Sequence, residues 1–207
     1  MPGPAACVSV RRMSEELEEL PLGALWERVA EGGQGMGGGA VAAATAATAA
    51  SLVEMVARAS VDMWPEAADV AGQAHALRMW ATQLAQVNMD TYGSAKDALA
   101  SAYAGQGETD SLKDTLGVAM EVPLRIAELA DDIAELANQA AQSGDYDMRP
   151  DAGAAAALAA ASARAAAHLV SINLTATADD PRIQAARAAA EDAEAQASAA
   201  LREDEEG

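Results

Sequence analysis

With 207 residues, 51% of them apolar but only 3% aromatic and none phenylalanine, the chain can bury one substantial core and must build it from small side chains. A formal net charge of −19 sets a long-range field against DNA, RNA and anionic membrane surfaces, so no nucleic-acid or membrane partner is expected. The lone Cys7 excludes an internal disulfide and a cysteine-built metal site.

Most of the apolar content is alanine, the best helix former and small enough for helices to approach closely, which predicts an all-α, single-domain bundle of five to six helices with alanine-rich central elements. β-Branched runs are scarce and no Asn-Gly or Asp-Gly pair joins alternating stretches, which argues against a sheet. Residues 1–13, with arginines after the short apolar part rather than before it, lack the order of a signal peptide and read as a disordered extension, Met13 being a possible start. No run is expected to span a bilayer, the most apolar stretch being alanine and threonine around Glu54. The expectation is a cytoplasmic protein.

In chain order, Ser14 caps a first helix to about Glu31, with Glu15 and Glu16 in its first turn and Leu17, Leu20, Leu25 and Val29 as its stripe. The glycine-rich stretch GGQGMGGG leads into a second helix, Ala40 to Ser60, apolar nearly all round and therefore central. Pro65 suits the first position of a third helix, with a bend at Gly93 and an end at Gly105 and Gly107. A fourth begins at Asp110 or Ser111, is kinked or broken near Pro123, and stops at Gly144. After the polar SGDYDMRP, Asp151 opens a fifth helix, rich in alanine, to about residue 178. Pro181 opens the last, and residues 201–207 form an acidic tail after a domain spanning 14–200.

Three segments carry a resemblance: MGGGAVAAATAATAASLVEMVA from Met36, EVPLRIAELADDIAELA from Glu121, and PDAGAAAALAAASARAAAHLVSINL from Pro150. In this order and spacing they resemble the cyclodeaminase/cyclohydrolase family of one-carbon folate enzymes, related to the C-terminal domain of formiminotransferase-cyclodeaminase and to methenyltetrahydrofolate cyclohydrolases. The resemblance implies an all-helical homodimer of the formiminotetrahydrofolate cyclodeaminase type, with a reduced folate as substrate and no metal or other cofactor. The reaction it implies is at the N5/N10 one-carbon bridge, either loss of ammonia from the formimino form or hydrolysis of the methenyl form. The chain departs from the family pattern at Met36 in place of proline, Ala40 in place of serine, and Asn88 where the Asp-x-x-x-Phe/Tyr pattern has an acid. It also has RASVDMWPE in place of a lysine-rich stretch and lacks a Leu-Pro-Lys near residue 104. An alternative is a member that kept the bundle as a folate-binding or structural dimer and lost the chemistry.

Several residues are candidates for the site. Gly37, Gly38 and Gly39 either open helix-terminal N–H groups to an anionic or carbonyl ligand or merely permit a tight entry into a buried helix. Asn88, Tyr92 and Lys96 recur every four residues, as the wall of a cleft or as a solvated face. In a cleft, Tyr92 can stack on a pterin and Lys96 attract a glutamate tail. Asp151 is the candidate acid/base, a carboxylate able to move a proton to and from water and ring nitrogen, with helix N-capping as the competing role. Asn173 lies on the same helix, 22 positions or roughly 33 Å further on, so it cannot share a pocket with Asp151 of its own chain; it either shares one with a partner subunit's residues or satisfies a helix end. Neither His75, expected at the surface, nor His168, expected in the core, has a second ligand at metal spacing.

Overall fold

The computed structural model describes residues 20–32, 36–103, 109–174 and 180–202. Among them are six helices and no strand: α1 (Leu22–Glu31), α2 (Gly38–Ala59), α3 (Ala67–Tyr103), α4 (Thr109–Ser143), α5 (Arg149–Asn173) and α6 (Pro181–Arg202). A single 3-10 turn, Tyr146–Met148, precedes α5.

From α2 onward the helices alternate in direction. Ser162 Oγ on α5 donates to the Ala42 carbonyl of α2 at 2.7 Å, and Leu169 lies beside Gly38, so α2 and α5 run antiparallel. Glu54 meets His75 and Arg78 while Gly39 meets Asn88, which sets α3 antiparallel to α2. Asn138 Nδ2 donates to Gln196 Oε1 at 2.7 Å, consistent with α4 and α6 running the same way, and Arg164 faces Glu194 across antiparallel α5 and α6.

Alanine sets how closely these helices pack. Ala43, Ala46, Ala50 and Ala57 on α2 and Ala152, Ala156, Ala159 and Ala163 on α5 are fully buried, spaced three, four or seven apart along each inner face. The larger wholly buried side chains, Ile126, Ile133, Val53, Val56 and Val170, fill the remaining volume. At one end Ser60 ties two turns together: its hydroxyl donates to the Val56 carbonyl at 2.8 Å and accepts from the Asp145 N–H at 2.8 Å. Gly144 packs there because a β-carbon would stand 2.5 Å from the Ala140 carbonyl.

Several expectations are corrected. Ser14, the expected cap of the first helix, lies outside the described residues; Pro21, at φ −55° and ψ 139°, is extended and starts α1 at Leu22. α2 begins two residues earlier than Ala40, so Gly38 and Gly39 are its first turn. Pro65 sits in the turn before α3, and α3 continues through Gly93. α4 continues through Pro123, which is itself buried between the buried Val122 and Leu124. α5 starts at Arg149 and ends at Asn173, short of residue 178. Residues 1–13 and most of the acidic tail lie outside the described residues.

The expectation that no run is apolar enough for a bilayer also fails: Gly38–Ala59 and Tyr146–Asn173 are long and apolar enough by length and composition, with mean hydropathy 1.6 and 1.4. Alanine gives both helices that hydropathy, and about half of each apolar window is buried inside the bundle.

Among the described residues α3 and α4 reach well past the start of α2. α2 begins level with Asn88, yet α3 continues for 15 more residues to Tyr103, roughly 22 Å beyond that level.

Candidate functional site

The glycine entrance of α2 is an open helix terminus. Gly37 is the N-cap, extended at φ −129° and ψ −169°, and no side chain caps the helix. The first intrahelical bond runs from Val41 N–H to the Gly37 carbonyl at 3.1 Å, so the N–H groups of Gly38, Gly39 and Ala40 have no partner within the helix. Gly37 and Gly38 are exposed, Gly39 is buried, and the helix dipole places partial positive charge at this mouth.

Asn88 of α3 lies against that turn. Its side chain is 9% exposed, and a β-carbon built at Gly39 would lie 2.6 Å from both Nδ2 and Oδ1. Gly39 is thus required by the close approach of an amide, whereas a β-carbon at Gly37 meets nothing within 4 Å. One turn further along α3, Tyr92 is 60% exposed, so the Asn88–Tyr92 stripe passes from core to solvent at the mouth. Lys96 is the next position of that stripe on the α3 backbone; its side chain lies outside the described residues. Asn173 is exposed at the end of α5, one turn past Leu169, which touches Gly38.

Gly37, Gly38, Gly39, Asn88, Tyr92 and Asn173 therefore share one end of the bundle. Asp151 does not join them. It occupies the first turn of α5, 18 residues before Leu169, which puts it about 27 Å from the glycines of its own chain. Nor is it the N-cap: that position is Met148, without a side-chain cap bond. Half-buried Asp151 neighbours Arg149, whose guanidinium lies 5.3 Å from the centre of the Tyr146 ring and whose Nε is buried without a hydrogen-bond partner. His168 is exposed, contrary to expectation, and His75 is half exposed.

Two charged constellations were not singled out as sites from sequence. Glu54, 7% exposed, sits in the alanine helix held by Arg58 at 2.5 Å, Arg78 at 3.2 Å and His75 at 3.3 Å. Burial raises its carboxyl pKa, but the Arg78 hydrogen bond and the surrounding cations outweigh burial and hold it below the ordinary value. The acid four residues before Arg58 in an apolar run was the available signal. At the glycine end, Asp180 accepts from the Arg182 backbone and from its guanidinium at 2.9 and 2.7 Å, and these bonds pull its carboxyl down to about 2. Among the described residues no His, Cys, Asp and Glu group is arranged to hold a metal ion.

The family model described as formiminotransferase-cyclodeaminase matches residues 21–192. The crystal structure of formiminotetrahydrofolate cyclodeaminase from Thermotoga maritima has the same fold, with a TM-score of 0.75 at 26% identity over 90% of this chain and 94% of that one. No curated protein matches. The match spans all six helices except the end of α6, and with the shared fold it shows that this chain belongs to the formiminotransferase-cyclodeaminase family.

Proposed function

We propose that the chain acts on a reduced folate, at the one-carbon unit carried between N5 and N10, as a formiminotetrahydrofolate cyclodeaminase or a methenyltetrahydrofolate cyclohydrolase. The observation that carries this reading is the uncapped glycine entrance of α2 with the Asn88 amide pressed against it, in a chain of this family. Unpaired N–H groups at a helix start suit a pterin carbonyl or a carboxylate, and they offset locally a surface that otherwise repels anions. Exposed Tyr92 offers a stacking face at the rim.

Proton transfer is assigned to Asp151 of a second copy. In a homodimer whose two-fold axis crosses the bundle, the Asp151 end of one subunit lies beside the glycine end of the other, which answers the 27 Å gap within one chain. Asn88 carries no proton at neutral pH and serves as a hydrogen-bonding wall. The reaction needs only proton movement and binding, so no metal or redox cofactor is assigned.

Absorbance of the methenyl chromophore tests the proposal. Accumulation from the formimino substrate with ammonia release marks a deaminase, and decay of added methenyltetrahydrofolate marks a cyclohydrolase. Asp151→Asn is expected to lower the rate by about 10²–10⁴-fold. Absence of both reactions together with no calorimetric binding of reduced folate would end this reading. The amide at Asn88 and the remoteness of Asp151 favour a second reading, a folate-binding dimer without turnover, which predicts tight binding unchanged by Asp151→Asn.

A further inference from the structure

α1 carries an apolar face that its own subunit covers only in part, Leu25 and Val29 being half-buried. Leu22, Leu25, Trp26 and Val29 fall at the i, i+3, i+4, i+7 spacing of a single stripe. Yet no residue of α1 is buried, and Leu22 and Trp26 are 60% and 63% exposed. Its 10 residues fall short of the roughly 12–15 that sustain a helix in water without tertiary support. This helix needs a surface to lie on.

A matching surface exists on the outer side of α2 and α3, where Ala47, Thr48, Ser51, Arg78, Met79 and Thr82 line an open groove of about 460 Å³. Its hydroxyls are already committed: Thr48 donates to the Ala44 carbonyl at 2.9 Å, Ser51 to Ala47 at 2.8 Å and Thr82 to Arg78 at 2.9 Å. The groove exposes more polar than apolar surface, but covering these hydroxyls strands no donor, and Ala47, Met79 and the threonine methyls give an apolar stripe something to rest on. Arg78 offers a guanidinium plane to an indole, and Met79 a soft contact.

Charge selects the occupant. Arg58, His75 and Arg78 surround the one carboxylate of Glu54, which leaves this rim cationic on a chain of net charge −19. α1 has the opposite balance, Glu27 and Glu31 against Arg28, and the sequence just before it adds Glu15, Glu16, Glu18 and Glu19. We infer that α1 is an exchanged arm, docking its Leu22–Val29 stripe in the α2/α3 groove of a second copy with Trp26 as the anchor. Reciprocal exchange closes a two-fold dimer. It does not depend on whether the glycine mouth takes a folate.

Sedimentation velocity on the full chain tests the exchange. The wild type is expected to run as a dimer, and Trp26→Ser to weaken that dimer on the order of 30-fold, as loss of a central Trp anchor does. Far-ultraviolet circular dichroism should lose no more than the 10 helical residues of α1, because Trp26 is exposed in the single subunit and the other helices do not rest on it. In a Cys7→Ser background, Trp26→Cys combined with Thr48→Cys should give a covalent dimer on oxidation, read on a non-reducing gel. A monomeric wild type, a Trp26→Ser dimer as tight as wild type, or a double-cysteine chain that closes its disulfide internally or forms none overturns the exchange.

Discussion

At Gly39 the missing side chain is filled by a neighbour's amide, and at Gly37 it is filled by nothing. Gly39→Ala must therefore displace Asn88 and is expected to cost about 1–3 kcal/mol, while Gly37→Ala should stay within about 0.5 kcal/mol. Paired thermal melts check this, and the Gly39 variant should also lose whatever affinity the mouth has for folate. The glycine row was legible in sequence as a tight helix entry. That Asn88 is the group drawn against it was not, because a polar residue every fourth position fits a wet face as well as a cleft. His168 was misplaced for a related reason: among alanines, which suit inside and outside alike, hydrophobic periodicity barely marks which face is buried.

Between elements, hydroxyl bonds reinforce the alanine packing unequally. Ser162 donates to a carbonyl on α2, so Ser162→Ala forfeits one bond and is expected to cost about 1 kcal/mol. Ser60→Ala also strips the Asp145 N–H of its acceptor at the α4–α5 turn, and about 1–3 kcal/mol is expected. Urea titrations of both variants should rank them in that order. Two prolines show what sequence alone could and could not fix about these elements. Pro21 begins a helix, with a neighbourhood too exposed to hold the chain helical through it, whereas α4 continues past Pro123 because Val122, Leu124 and Ile126 are all buried. Inside a helix proline costs about 3 kcal/mol, a penalty that Pro21 avoids by standing at the helix start and that the burial around Pro123 offsets. The separation of Asp151 from the glycines follows equally from α2 and α5 being antiparallel, a relation between elements that neither helix encodes alone.

For the molecule as a whole, the excess of acid is a load that particular carboxyls carry. Asp131 on α4 is pushed up to about 6, first by burial and then by Asp192, Asp132 and Glu135. An unfolded aspartate titrates near ~3.9, so the folded chain binds this proton more tightly. That contribution to stability is complete below about pH 4 and is lost as the pH rises through about 6. Asp131→Asn should accordingly flatten the melting temperature between about pH 4 and 6 and raise it at neutral pH. Asp180, held near 2 by Arg182, acts in the opposite sense: its contribution is present above about pH 4 and disappears as the pH falls towards 2. The fold class was readable at this scale because composition alone demanded small-residue helices. A partner subunit was expected from the resemblance, but which faces meet was not readable, since one chain's pattern does not record how two copies pack.

The long α3–α4 pair has unlike halves. Below the level of Asn88 it is braced by α2 and α5; above that level α2 has ended. Tyr92 stands one turn past this boundary. A guest lodged between Gly37 and Tyr92 would thus press one flank on firmly buttressed ground and the other on the root of a cantilever, so that filling the corner would clamp the overhanging arm from below.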